Sequence, residues 1–250
     1  MSEIFMRTRE QLNRIKPYFP LSHGKPRVDD RRVISGILYV IRNRLQWKDA
    51  PRAYGPHKTL DNRFVRWSRM GVFNRILPAL AGEADGPERL MSDATHRKAH
   101  RTAASRLNKG AVSRCIGRTK GGLDAKLHAV VNGNGRPLHL LLSAGQMSDY
   151  KGAARLLESL PKARELLADR GYAARTALRK KGITPCLPPK NNRKIKIASD
   201  KTLYRQRHQI ENMFGQLKDW RRIAMRDDRC AHTFFSALRS AAAFIFYLNQ

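Results

Sequence analysis

Three carboxylates in this 250-residue sequence stand where a solvated acid is not expected. Asp93 follows Leu90 and Met91 near the end of an apolar run that predicts a strand, residues 89–94. Asp169 follows Leu166, Leu167 and Ala168 at the end of another, residues 163–168. Glu211 lies between Ile210 and the pair Met213 and Phe214 in a helical pattern, a position predicted to face the core or a cleft. Two strand-end aspartates and a helix glutamate form a hard oxygen donor set that suits magnesium. Two such ions about 3.5–4 Å apart would activate a water or hydroxyl and stabilise the leaving oxygen of a phosphodiester. For any one of the three alone, a cap or a surface salt bridge is the more ordinary role.

The residues around Glu211 strengthen the set. Tyr204, Arg207, Glu211 and Lys218 are spaced by three, four and seven, so a continuous helix would carry all four on one face. An intrahelical ion pair explains that face. It also suits metal binding flanked by cations, with Arg207 and Lys218 neutralising nearby phosphates.

The elements that must position these groups follow from pattern and punctuation. Residues 123–131 and 136–142 flank Asn132-Gly133-Asn134-Gly135, a hairpin signal. Residues 149–157 read as helix, 173–181 as helix stopped by Gly182, and 183–187 as strand stopped by Pro188-Pro189. Two helices close the chain, about 201–220 and 233–248, the second apolar enough to be core. Three antiparallel strands followed by helix-strand units predict a mixed sheet with helices on its faces.

Before a polar linker at residues 82–88 the chain reads as all helical. Val33, Ile34, Ile37, Leu38, Ile41 and Leu45 form one apolar stripe, with Asp29 and Asp30 at its start. A second helix over residues 57–69 turns Leu60, Phe64 and Trp67 inward and offers Lys58, Arg63, Arg66 and Arg69 outside; a third spans 72–80. Helix, turn, basic helix is the outline of a helix-turn-helix reader of the major groove. Solvated charge on a three-helix packing explains the pattern equally well. The domain limits are thus 1–82 and 89–250.

Composition narrows the partners. Lys and Arg total 50 against 20 Asp and Glu, a net charge of +30, and such an excess calls for a polyanion. An anionic membrane is the weaker option, because the most apolar run, residues 241–248, falls far short of the roughly 20 residues of a spanning helix. Residues 1–20 lack the apolar core of a signal peptide. Cys115, Cys186 and Cys230 are too scattered for a zinc cluster or disulfide framework. A cytoplasmic, nucleoid-associated protein is expected. Basic tracts at residues 97–126 and 186–229 would add salt-sensitive contacts to a duplex.

Taken together, these residues resemble the DDE transposases of bacterial insertion sequences, close to the insertion-sequence-five type. The resemblance is carried by Ser92-Asp93-Ala94-Thr95, by Leu167 through Tyr172, and above all by Tyr204, Arg207, Glu211 and Lys218 at their spacing. Gly121-Gly122-Leu123, Gly145-Gln146, the segment from Trp47 to Trp67 and Trp220-Arg221-Arg222-Ile223-Ala224 extend it over nearly the whole chain. It implies a ribonuclease-H-like core, with which the strand order agrees. It implies Asp93, Asp169 and Glu211 as the metal-binding triad, holding two magnesium ions with manganese as a substitute. Tyr204, Arg207 and Lys218 would support the complex with the element ends, and Arg221 and Arg222 would add DNA contacts. The expected activity is binding of terminal inverted repeats, hydrolysis to free 3′-hydroxyls and strand transfer into double-stranded target DNA, by a homodimer or larger assembly. A catalytically silent repressor derived from such an enzyme is the competing expectation. A ribonuclease or resolvase on the same fold is less favoured by the helix signature.

Overall fold

The computed structural model describes residues 6–21, 28–83, 86–105, 114–168, 175–187 and 201–249. In chain order the principal elements are α1 (Arg9–Ile15), α2 (Asp30–Asn43), α3 (His57–Arg69), α4 (Val72–Gly82), β1 (Arg89–Ala99), β2 (Gly117–Thr119), β3 (Gly122–Asn132) and β4 (Pro137–Ala144). There follow α5 (Asp149–Leu157), β5 (Glu165–Ala168), α6 (Arg175–Lys180), β6 (Thr184–Cys186), α7 (Lys201–Arg205), α8 (His208–Lys218) and α9 (Ala231–Ala243). Packing divides the chain into two compact units.

The first unit comprises residues 1–80, 100–113 and 217–250. Its centre is α2, which begins where Asp29 accepts the Arg31 N–H at 3.0 Å and buries Val33, Ile34, Ile37, Leu38 and Ile41. It stops at Arg44, whose φ of 57° lies in the left-handed region. Leu60, Phe64 and Trp67 form the buried face of α3. Phe73 lies 5.8 Å from Phe64, and Phe19 4.5 Å from Trp67, between ring centroids. The segment from Arg44 to Pro56 contains two 3-10 turns, Trp47–Asp49 and Arg52–Tyr54, so α2 and α3 are not joined by the three- or four-residue turn of a compact helix-turn-helix. Only Met70 and Gly71 separate α3 from α4, and Gly71, at φ 67°, supplies the reversal.

The C-terminal helix belongs to this unit, although its sequence position puts it in the span 89–250. Phe234, Ala237, Leu238 and Ala241 of α9 are buried, and α9 packs on α2 and α3. Its apolar face completes a core that the N-terminal helices alone leave open. Arg44 reaches forward to Asp227, with Nε–Oδ2 at 2.6 Å and Nη2–Oδ1 at 2.8 Å, joining the two ends of the chain within the unit.

The second unit, residues 81–99 with 114–216, is built on a mixed sheet. Its long strands β1 and β3 pair antiparallel from Leu90 opposite Asn132 to Lys98 opposite Asp124. β4 and the short β2 lie end to end along the other edge of β3. On the far side of β1, β5 runs parallel to it, and β6 parallel to β5. The order is thus β4 (with β2), β3, β1, β5, β6, three antiparallel strands followed by two reached through helical connections. This is the ribonuclease-H-like arrangement expected from the sequence. The β3–β4 turn is fixed by Asn132, whose side-chain oxygen accepts the N–H groups of Asn134 and Arg136, and by Gly135 at φ 76°. One core cluster joins Leu90, Val130, Leu138, Leu156, Leu166, Leu178 and Ile183 across the sheet and its helices.

Two expectations change here. The strand read as ending at residue 94 continues to Ala99, because β3 pairs with it from Leu90 to Lys98. Asp93 is therefore mid-strand. The helix read over 201–220 is broken: α7 ends at Arg205 and α8 starts at His208. Across the break, Gln206, Arg207, Gln209 and Ile210 donate their N–H groups three residues back instead of four. The break is held by β1, where Arg89 bonds the Gln206 carboxamide and Asp93 pairs with Arg207.

Candidate active site on the central strand

Asp93 sits at the middle of the central strand β1, opposite Ala129 of β3. Its Oδ1 accepts the Ala94 N–H at 2.8 Å, and its Oδ2 lies 2.6 Å from Arg207 Nη2. Arg207 also donates through Nη1 to the Tyr204 hydroxyl at 3.2 Å, and its guanidinium lies 6.0 Å from the centre of that ring. Tyr204, Arg207 and Asp93 are thus brought together. They meet through the helix break and not through a shared helical face.

Glu211 is exposed in the first turn of α8, so of the two settings expected for it, core or cleft, the core is excluded. Ile210, Met213 and Phe214 take the buried positions, so the acid is left on the solvent side. Lys218 is exposed at the other end of the same helix. The remaining acid of the proposed triad, Asp169, lies outside the described residues. The last residue of β5, Ala168, is paired with Ser92, the neighbour of Asp93. Among the described residues no group of three His, Cys, Asp or Glu side chains is arranged to hold a metal ion.

The candidate DNA contacts divide into exposed and engaged groups. Lys58, Arg66, Arg69 and Arg221 are exposed. Arg63 is held inside the first unit: Nη1 donates to the Val28 carbonyl and to Asp30 Oδ1, both at 2.8 Å, and its guanidinium lies 5.8 Å from the Trp67 ring. Arg222 pairs with Asp228 at 2.9 Å and lies 5.3 Å from the Trp47 ring. Burial opposes its charge, but Asp228, Asp227 and Asp61 keep its pKa above the ordinary value. These two arginines tie the helical unit together, a role their sequence setting does not reveal.

Arg97, counted in the first basic tract, is 1% exposed and lies 5.8 Å from the Phe214 ring. Its Nε and Nη2 have no hydrogen-bond partner among the described residues, and burial lowers its pKa to about 10. Sequence reasoning also missed a basic concavity in the first unit. Arg32, Lys48, Arg52 and His57 line a pocket of about 610 Å³ beside Gly55 and Pro56. Arg32 is fixed there by two donations to the Ala53 carbonyl, at 2.8 and 3.1 Å. The residue at the adjacent start of α3, Pro56, makes no side-chain cap. These residues come from four elements, so no spacing in the sequence marks them as a group.

Comparison with known proteins bears on both units. Residues 8–77 match the family described as "Putative transposase of IS4/5 family", and residues 85–243 match the family described as "Transposase DDE domain". A Brucella ovis protein described as "Putative transposase for insertion sequence element IS6501" is 34% identical over 127 residues, covering 49% of this chain and 98% of its own. A protein of Sinorhizobium fredii, y4sN, described as uncharacterized, is 37% identical over 98 residues, covering 38% of this chain and 78% of its own. Among solved structures, a pre-cleavage Mos1 transpososome is 13% identical over 90% of this chain and 80% of its own, with a TM-score of 0.27. The Mos1 strand transfer complex gives the same TM-score and identity. Neither is close enough in shape to add to the strand order itself.

Proposed function

The chain belongs to the DDE-domain transposases of bacterial insertion sequences, and from that premise we propose that it binds the terminal inverted repeats of its own element, hydrolyses phosphodiesters there and joins the freed 3′-hydroxyls to target DNA. The observation that carries this reading is Asp93 on the central strand of a ribonuclease-H-like sheet, facing a cation. Its Oδ2 already pairs with the positive guanidinium of Arg207 at 2.6 Å, so the position suits a cation. Asp93, with Asp169 and Glu211, would hold divalent ions, magnesium with manganese as substitute. Bound there, two such ions supply an activated oxygen nucleophile and charge stabilisation of the leaving oxygen.

The chain's own residues contribute binding and orientation. Arg207 and Lys218 are suited to backbone phosphates close to the scissile bond, Arg207 with the planar two-point geometry that phosphate favours. Exposed Lys58, Arg66, Arg69 and Arg221 supply contacts to the ends, and the basic pocket of the first unit supplies more. Handling two ends in one reaction calls for a homodimer or larger assembly. No helix among the described residues is long and apolar enough to cross a membrane.

The test is magnesium-dependent nicking of a duplex carrying the gene's own flanks. Wild type is expected to cleave at the element ends. Asp93→Ala, Asp169→Ala and Glu211→Ala are expected to bind the same duplex without cleaving it. End-specific binding with no cleavage by any of the four proteins would replace this reading with a repressor.

A further inference from the structure

Both carboxylate oxygens of Asp93 are engaged within the protein. One oxygen takes the Ala94 N–H at 2.8 Å and the other the Arg207 Nη2 at 2.6 Å. The pair is sheltered, with side-chain exposures of 17% for Arg207 and 22% for Asp93, so its attraction is less screened than that of a surface pair. Its geometry depends on the break between α7 and α8. Tyr204 steadies the guanidinium from one side, and the Arg89 bond to Gln206 fixes the neighbouring residue. Arg89 also pairs with Glu165 at 3.1 Å, which anchors it on the parallel strand beside β1.

A guanidinium beside a carboxylate and a divalent ion on the same carboxylate oppose each other, because both are positive. A guanidinium is also the side chain best matched to a phosphodiester. The carboxylate and a DNA phosphate therefore compete for one group. We propose that Arg207 is an exchangeable counter-ion: it neutralises Asp93 in the DNA-free protein and passes to a backbone phosphate when a duplex binds, freeing Asp93 for a divalent cation. The proposal rests on the reading of Asp93 as a metal-holding residue. It makes DNA binding and metal binding mutually favourable, and linkage requires the effect to be reciprocal. A protein so arranged holds little metal, and cuts nothing, until DNA is in place.

The experiment measures the equilibrium binding of Mn²⁺ by the full chain, from the electron paramagnetic resonance of the free ion, with and without a short duplex from the gene's flanks. Wild type is expected to bind Mn²⁺ about tenfold more tightly with the duplex, within the five- to 150-fold span of ordinary coupling. Arg207→Gln is expected to bind Mn²⁺ without DNA as tightly as wild type does with it, and to gain little more from the duplex. Arg207→Lys should restore part of the coupling. Tyr204→Phe, which keeps the charge and loosens its support, should give an intermediate result. Circular dichroism matching wild type ensures that each variant is folded. Equal DNA-free affinities for wild type and Arg207→Gln would overturn the exchange while leaving the metal reading intact. Asp93→Asn distinguishes the other failure: if it binds Mn²⁺ like wild type, with and without DNA, the metal reading falls and the exchange with it.

Discussion

His128 should make the second unit sensitive to mild acid. It lies on β3 opposite Ala94, one residue from the Asp93 pairing, so its environment is part of the scaffold that holds the candidate site. The imidazole is 2% exposed; Nε2 bonds Ser143 Oγ at 2.9 Å, and the ring lies against α5 at Gly152, where an added Cβ would come within 2.1 Å of it. Burial lowers its pKa from 6.5 to about 4, helped by Lys126, His96 and Arg155 and opposed by Asp149. The folded protein therefore keeps the ring neutral while the unfolded chain protonates it near pH 6.5. Stability from this group is complete above pH 6.5 and is lost as pH falls toward 4. The whole shift corresponds to about 3 kcal/mol, of which about 2 kcal/mol is gone at pH 5. The assay is urea unfolding at pH 7 and pH 5 for wild type and His128→Gln, which keeps a donor for Ser143 and does not titrate. Wild type should lose about 2 kcal/mol more than the variant between the two pH values. Equal losses, or a native-state NMR titration of His128 with a midpoint near 6.5, would refute the reasoning.

Two further outcomes follow from the helical unit. Gly36→Ala would bring a Cβ within 2.7 Å of Tyr54 Cβ and 2.9 Å of Leu60 Cδ1, so α2 must move from the Tyr54 turn and from α3; a loss of about 1–3 kcal/mol in chemical denaturation is expected. Replacing exposed Lys58, Arg66 and Arg69 together by Gln should lower the slope of log affinity against log salt by about three for a duplex from the element ends, read by fluorescence anisotropy, whereas Arg63→Gln should mainly lower the melting temperature.

Residue type and spacing made much of the scaffold legible. The helix over residues 57–69 is observed with those limits, because Leu60, Phe64 and Trp67 repeat at helical spacing between Pro56 and Gly71. The β3–β4 hairpin is announced by Asn132 through Gly135, where local hydrogen bonds and a positive φ leave little choice of turn. Strand β1 was legible only in part. Its outer half, with His96, Arg97 and Lys98, has no apolar alternation; it is a strand because β3 supplies its partners. The helix break at Gln206 and Arg207 was hidden for a similar reason. The local sequence favours a continuous helix, and the groups that interrupt it, Arg89 and Asp93, come from more than a hundred residues earlier in the chain.

The charges show the same division. Sequence alone determined that the chain is strongly basic and that its acids after residue 88 are few, and it showed Asp93, Asp169, Glu211 and the residues around them to resemble the motifs of a transposase family. It could not sort cations by task, since Arg63, Arg66, Arg97 and Arg222 look alike in a basic tract. The fold left Arg66 in solvent, tied Arg63 to Asp30 and Arg222 to Asp228, and buried Arg97 beneath Phe214. It also kept Glu211 out of the core and drew Arg207 onto Asp93. Helices and turns follow from neighbours within a few residues. Burial, pairing and the identity of a charge's partner depend on what distant segments bring, and only the tertiary structure decides that.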